Sequence, residues 1–504
     1  MGGTYYKKFN VRIGIVCDQV LYDSLKTAAE FIYIAPTDGW RETIKHIDLM
    51  LVVSTWSGLH GDEWHGLGIV GNSKRKLLLE IIRSCRDMRV PTVFYSKEDP
   101  PNYKVFLDFA KQCDVVFTSA EEMCDRYQED CGHNRVYVLP FCVNPELQNP
   151  VGCQPFKAGG GVAFSGSWIM KYPGRCRDLC VLLDGVIQAK VPLKIVNRNS
   201  FRGIHPNYRF PRRFRRFLHS AIPHNKLQAF HRQHAWSINV NSVTTSATMF
   251  AGRCYELLAC GCPVLSNFSV GMLERLPEVA IADTSAYVAK LILNTTPQQL
   301  QLRRAAGIRR VMTGETCYDR IGTILQAVGI RAEQPSRSVL VVIPERTETL
   351  LTAFGSQTFS NRELCLESEF SEEKSLRYDY IIRWKAGEIY GPYYLQDLID
   401  AFKYTDADFV TAGGGFYESI SKSREGHTMF RVGVRPVRGF AVPVLNETEK
   451  EIAEELDRAH EITRPVIHTL DAFSRQPFWS RALACYMDNG LAYTIRRIFW
   501  GRQY

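Results

Sequence analysis

The sequence predicts an α/β protein built on doubly wound sheets. Three observations carry this. Short apolar runs recur along the first two thirds of the chain, many are apolar on both faces as a covered parallel strand must be, and amphipathic stretches of helical period alternate with them. At 504 residues the chain is too long for one core, and its length sets the expectation at about three domains.

Taken in order, residues 11–18 read as a strand ending in an acidic turn, and residues 48–54 as a second strand. The spacing of apolar residues predicts a helix over 72–88, with Lys74, Arg75 and Lys76 on its other face. A third strand at 91–96 follows directly, then a helix over 104–112 and strands over 114–119 and 136–140. This alternation makes residues 1–150 a first doubly wound domain, whose ligands belong beyond the carboxyl ends of its strands. Two loops at such ends are chemically rich: 54–58, with 61–64 beyond it, and 96–101. The triplet Lys97-Glu98-Asp99 is placed there to bind ligand hydroxyls or to set a charge beside a reacting group; the plainer alternative is a capped turn, which Asp99 before Pro100 starts well. No Gly-x-Gly-x-x-Gly follows the first strand and no Walker lysine motif occurs, which argues against dinucleotide and P-loop chemistry.

A second domain spans 151–332. Gly159-Gly160-Gly161 reads as a hinge, and a short strand at 162–164 runs into Ser165, Gly166, Ser167 and Trp168, a small-residue turn that lets a ligand approach the backbone. Strand 193–196 exits at Asn197 and Arg198, and strand 237–241 leads through 244–249 to a helix that carries Glu256. Thr248, Met249 and Phe250 are read as that helix's start, where free amides form a phosphate site, with Arg198 and Arg253 supplying charge to it. Each arginine is equally suited to the surface or to pairing with Glu256. Cys260-Gly261-Cys262-Pro263 stops the helix before a buried strand at 264–266. Glu256, charged among apolar neighbours, needs a partner: a nearby arginine, or a pair of ligand hydroxyls. The run 209–217 mixes arginine with phenylalanine and reads as a solvated or membrane-facing helix, with nucleic-acid binding as the lesser alternative.

After a polar link at 332–337, residues 338–344 open a third domain, 337–450. The segment 451–504 is a helical tail whose last part, 478–504, is aromatic and basic; it suits either an interfacial helix at the inner face of a membrane or a helix packed on the third domain. Hydrophobic (45%) and charged (23%) fractions are ordinary for a globular protein, and the net charge of +9 favours anionic ligands or an anionic surface without selecting one. The 15 cysteines are dispersed, which argues against zinc and for free thiols in a reducing cytoplasm. No secretory segment or run of membrane-spanning length is read, so the expected location is cytoplasmic, with peripheral contact at the inner membrane face through the tail.

A resemblance adds to this reading. Residues 95–100 (Tyr-Ser-Lys-Glu-Asp-Pro), Phe117-Thr118, Leu139-Pro140-Phe141, Phe164-Ser165-Gly166-Ser167, Asn239-Val240-Asn241-Ser242, Ser246-Ala247-Thr248-Met249 and the segment from Arg253 to Gly261 together resemble the CgeB-like (spore maturation) branch of GT-B glycosyltransferases, related to glycosyltransferase family four, over about residues 45–330. The resemblance implies two Rossmann-like domains and a nucleotide-sugar held by Ser165, Gly166, Ser167, Arg198, Thr248, Met249, Phe250, Arg253 and Glu256. Glu256 takes the ribose-binding role; the second glutamate of many family-four enzymes is replaced by Thr248. Glu98 and Asp99 are the carboxylates expected to orient the acceptor. Retaining transfer to a glycan or lipid-linked glycan in bacterial surface or spore polysaccharide synthesis follows, with no metal or other cofactor and no nucleic acid as partner.

Residues 353–364 and 390–398 resemble parts of a family-two GT-A transferase, but the acidic triplet expected near Lys385-Ala386-Gly387-Glu388 is missing. This implies a degenerate GT-A-like domain with a binding or scaffolding role, because metal-dependent transfer needs clustered carboxylates. The rival expectation is a non-catalytic scaffold that binds nucleotide-sugar or glycan.

Overall fold

A computed structural model of the chain describes residues 5–59, 63–156, 160–200, 206–413, 417–444 and 451–452. The first sheet contains β1 (Arg12–Val16), β2 (Glu30–Tyr33), β3 (Leu49–Val53), β4 (Thr92–Ser96), β5 (Val115–Thr118) and β6 (Val136–Val138). They are all parallel, in the order β2-β1-β3-β4-β5-β6. The expected elements do not include β2, although Phe31, Ile32, Tyr33 and Ile34 form an apolar run; as the edge strand of the sheet it is only half-buried. The helix expected over 72–88 is Ser73–Asp87, started by Asn72, whose Oδ1 accepts from the Lys74 amide at 2.9 Å. Arg75 departs from the expected solvent face. It is buried, paired with Asp108, and donates to the carbonyls of Leu67 and Val105.

The second sheet contains β7 (Val162–Gly166), β8 (Leu193–Asn197), β9 (Leu218–His219), β10 (Trp236–Asn239), β11 (Val264–Ser266) and β12 (Ala280–Ile281). It too is wholly parallel, in the order β12-β11-β10-β7-β8-β9. In each sheet the strand order reverses once, between β1 and β3 and between β7 and β10. A crevice opens beyond the strand ends at such a reversal, because the connections leave in opposite directions. The two parallel sheets are Rossmann-like domains, as expected.

The boundary at 332 overruns the second core by one helix. Cys317–Ala327 packs its Tyr318, Ile321, Ile324 and Leu325 into the first domain with Ile13 and Ile15, and Tyr6 stacks on Tyr318 at 4.1 Å between centroids. Gly159 of the expected hinge lies outside the described residues; Gly161 is held, its carbonyl accepting from the Ala235 amide at 2.9 Å. The 209–217 run is a 3-10 turn at Arg212–Phe217, not a regular helix. Phe210 and Phe214 anchor it in the core, and Arg213 grips Asp184 with two bonds of 2.9 Å.

The third sheet contains β13 (Val339–Ile343), β14 (Arg362–Leu366), β15 (Tyr380–Arg383), β16 (Phe409–Ala412), β17 (Glu418–Ile420), β18 (Thr428–Arg431) and β19 (Gly439–Val442), in the order β14-β13-β15-β18-β16-β19-β17. It is mixed: β14, β13 and β15 are parallel, and β18 runs antiparallel to both its neighbours. Its helix Tyr394–Tyr404 lies on Pro297–Met312 of the second domain. There Arg309 binds Asp397 through bonds of 2.6 and 2.7 Å, and Lys403 donates to the Met312 carbonyl at 2.6 Å. One apolar core runs through both domains, joining Leu258 and Ile308 to Leu398 and Phe402. The expected tail lies outside the described residues beyond 452. Among the described residues no helix is long and apolar enough to cross a membrane, and the fourteen described cysteines are free thiols.

Candidate functional site: a cationic cleft at the strand reversals

The crevice of the second sheet is built by the exits of β7 and β8. Ser165 and Gly166 end β7; Arg198 follows β8 and its amide donates to the Gly166 carbonyl at 3.0 Å. Ser165 Oγ bonds to His231 Nε2 at 2.7 Å, and His231 Nδ1 to Ser237 Oγ at 2.8 Å. Burial, with the charges of Arg253 and His234, lowers the His231 pKa to about 3, so this ring is a neutral spacer. Ser167 Oγ is buried and has no hydrogen-bond partner.

Three arginines converge here. Arg175, from the helix Pro173–Gln188, donates to the Ser167 carbonyl at 2.9 Å. Arg253 begins the helix Arg253–Ala259 and lies against Gly166, where a Cβ would come within 3.2 Å of its guanidinium. Burial first, and then the charge of Arg198, lower both Arg253 and Arg175 to about 10, with Glu256 opposing this at Arg253. Among the described residues none of the three has a carboxylate within ion-pair distance. Crowded cations without an ion-paired carboxylate, their charge offset only in part by Glu256 at Arg253, favour an anion nearby.

Glu256 stands at the edge of this cluster. Within the protein its hydrogen-bond partner is His224 and not an arginine: His224 Nε2 lies 3.1 Å from Glu256 Oε1, and its Nδ1 lies 3.6 Å from Asp23 of the first domain. Burial raises the Glu256 carboxyl, but the bond and charge of His224, with Arg253, outweigh it and hold it below the usual value. Burial likewise lowers His224, and the two carboxylates reverse that to leave it above 6.5. Ser165, His224, His231, Arg253 and Glu256 together line a small pocket of about 20 Å³.

The helix start expected at Thr248, Met249 and Phe250 is corrected. The helix begins at Arg253, and the amides of Thr248 and Met249 are already engaged by Ser246 Oγ at 3.4 and 3.0 Å. Thr248 is a seam to the first domain: its hydroxyl donates to the Ser119 carbonyl at 2.8 Å and accepts from the Glu121 amide at 2.9 Å. Met249 packs against the first domain's core, and Phe250 is buried beside Tyr255. Ser246 imitates a helix cap in sequence while closing a turn, so the anion site is built by arginines and not by helix amides.

Across the crevice, the ionisable groups at the first domain's exits have partners within that domain. Lys97 is buried and paired with Asp18, which also caps the helix Gln19–Leu25. Glu98 accepts from Trp56 Nε1 at 3.1 Å and Asn102 Nδ2 at 2.9 Å. Asp99 is the second correction. It has no exposed surface, accepts from Thr118 Oγ1 at 2.6 Å, and is raised by burial to about 6; its contacts in the protein brace the turn. Arg175, His224 and Asp23 were missed. Arg175 carries no motif among 62 lysines and arginines, and His224 sits in an irregular stretch where no periodicity marks it.

Residues 191–326 match the family model described as "Glycosyl transferase-like", a segment that contains Arg198, His224, Arg253 and Glu256. No curated protein matches the chain by sequence. Among solved structures, Anabaena Alr3699/HepE in complex with UDP and glucose is 11% identical, covering 64% of this chain and 99% of its own, at a TM-score of 0.41. T4 phage BGT with its UDP-glucose substrate is 8% identical over 63% of this chain and 100% of its own, also at 0.41. TarM is 9% identical over 55% of this chain and 54% of its own, at 0.37. These are partial likenesses, and the fold rests on the sheet topology above.

Proposed function

We propose that the chain is a GT-B glycosyltransferase that takes a nucleoside-diphosphate sugar in the crevice and passes the sugar to a glycan or lipid-linked glycan, as in bacterial surface or spore polysaccharide synthesis. One observation carries the reading: three arginines with no carboxylate in ion-pair range, and a Ser167 hydroxyl without a partner among the described residues, meet where the second sheet reverses its order. A diphosphate supplies the negative charge that this cluster lacks. As the bond to the sugar breaks, charge grows on the departing diphosphate, and cations already in place stabilise it without reorganising. Glu256 is held at Oε1 by His224, which leaves Oε2 to accept from the ribose hydroxyls. Glu98, at the opposite wall, orients the acceptor hydroxyl.

The transfer proceeds without a metal, because the arginines perform the charge neutralisation. The family resemblance supports retention of configuration. Thr248, in place of a second glutamate, leaves contact with the donor sugar to other groups. The third domain is read as a GT-A-like scaffold without transfer chemistry: at the expected place Lys385 is a cation paired with Glu425 at 3.0 Å, and Glu388 faces His427 at 3.5 Å with no third ligand beside them among the described residues.

Calorimetry with UDP, GDP, ADP and TDP tests the first step, and Arg198→Ala the assignment of the cluster. Tight binding of at least one diphosphate that Arg198→Ala weakens about tenfold is expected, since a charged hydrogen bond contributes about 1.5–3 kcal/mol. Failure of all four to bind sinks the proposal. Product anomer, read by NMR after turnover of the matching sugar nucleotide, tests retention.

A further inference from the structure

A second cavity, of about 730 Å³, lies where the third domain docks on the second. Its size is in the range of about 300–1,000 Å³ typical of small-molecule sites. One wall is the segment around Asn149 with the helix Leu227–His231 and Arg232; the other is Tyr404–Ala407 together with the strands β17 and β19. The cavity therefore exists only because the third domain is present, and the Arg309–Asp397 and Lys403–Met312 bonds fix its walls relative to each other.

Its chemistry differs from that of the arginine cluster. Arg438 is neutralised by Asp406 at 2.7 Å and Asp408 at 2.9 Å. Arg232 gives one bond to Asn149 Oδ1 at 3.2 Å, while its Nε has no partner. Gln228 is 8% exposed and its Nε2 is also unpartnered. Glu146 at the mouth is an exposed carboxylate. Buried donors left unmatched are costly unless a ligand or water meets them. Balanced charge with amide, guanidinium and carboxylate groups, over the apolar floor of Val151 and Phe440, suits a neutral molecule rich in hydroxyls and bearing C–H faces. Gln228 also lines the Glu256 pocket, so a single side chain separates the two sites.

We infer that this cavity is a carbohydrate-binding site for a neutral oligosaccharide, created by the docking of the third domain and adjoining the nucleotide pocket. It is distinct from the arginine cluster and does not depend on that cluster's occupant. The test uses the full chain and saturation-transfer NMR with maltotetraose, cellotetraose, chitotetraose and mannotetraose. Ala229→Trp and Ser419→Trp fill the cavity from opposite walls at exposed positions, without removing an internal contact. At least one oligosaccharide should bind, and both variants should weaken it about tenfold or more while UDP affinity by calorimetry stays within about twofold. The inference is overturned by no binding of any of the four, by binding that survives in either variant, or by joint loss of sugar and UDP in the variants. UDP failing with the unaltered protein would overturn the proposed donor and leave the oligosaccharide result to decide this site.

Discussion

The two walls of the crevice carry ionisable groups at equivalent places, the ends of parallel strands, and treat them in opposite ways. In the first domain Lys97 has Asp18, Glu98 has Trp56 and Asn102, and Asp99 has Thr118. In the second, Arg175, Arg198 and Arg253 share one region with no carboxylate in ion-pair range among the described residues. Position at a strand end therefore does not by itself separate scaffold from site. Residual charge is the better guide: Lys97, cancelled by Asp18, stabilises the fold; Glu98, bonded to neutral donors, keeps its charge; and the arginines, whose fields reinforce one another, cost stability until a ligand arrives.

The largest effect expected from this contrast is on the neutralised wall. Lys97→Met leaves Asp18 without its cation; breaking a buried pair costs roughly 3–5 kcal/mol, and the quarter-exposed Asp18 places the loss near about 3 kcal/mol. Denaturant unfolding should register that loss, while nucleoside-diphosphate affinity changes only a few-fold. Arg253→Met should do the reverse. Affinity falls on the order of 100-fold, as expected for a lost charged hydrogen bond of up to about 3 kcal/mol, while the unfolding midpoint falls by less than in Lys97→Met, because Arg253 has no ion pair to break and Glu256 keeps His224 as its partner. Equal stability losses in the two variants would erase the distinction between the walls.

Glu256→Gln sharpens the comparison at the boundary between them. The amide keeps the shape and one acceptor but loses the charge, so nucleotide binding should weaken about tenfold, within the range for a bond to a charged group. Unchanged affinity would remove the ribose role and leave Glu256 as an anchor for His224.

Much of the fold was legible, and the reasons are local. β1, β3, β4 and β5 are short, largely apolar runs separated by amphipathic helices, the alternation of covered parallel strands, and Asn72 marks its helix start by a side chain that can cap. The site was legible only in part. Ser165, Gly166, Ser167, Arg198, Arg253 and Glu256 come together as read. Arg175 and His224 join them from loops and helices distant in sequence, and no local pattern announces a long-range meeting. Thr248 and Asp99 were misread for a common reason: short polar side chains that cap or brace a turn have the same composition as those that bind a ligand. What distinguishes them is burial, which depends on the opposite domain in one case and on β5 in the other.

The bridge from Asp23 through His224 to Glu256 makes a prediction in pH. His224 is raised above 6.5 in the folded chain, so its contribution to stability is fully present below that value and disappears as pH climbs through the raised one. As pH rises from below 6.5 through the raised value, the unaltered protein should lose stability relative to His224→Gln, which lacks the titrating ring. Parallel pH profiles would show that the histidine's charge plays no part in holding the two walls together. A slope of opposite sign would mean that burial, not the carboxylates, dominates its environment.

The smallest expected effect is that of chelation, and it bears on the third domain. Its strand β15 ends at Arg383, and the following turn places Lys385 beside Glu425 and Glu388 beside His427. A divalent metal against a diphosphate needs several oxygen ligands converging on one point. Among the described residues no group of three or more histidines, cysteines or carboxylates is arranged to hold one. The arginine cluster, by contrast, already presents the positive charge that a metal would otherwise bring to the leaving group. Transfer measured with excess chelator should therefore proceed within about twofold of the untreated rate, because electrostatic stabilisation by fixed cations requires no exchangeable ion. A rate abolished by chelator and restored by manganese would place the chemistry at a metal the arginines do not replace. It would also turn the contrast between the two walls into a description of nucleotide binding alone.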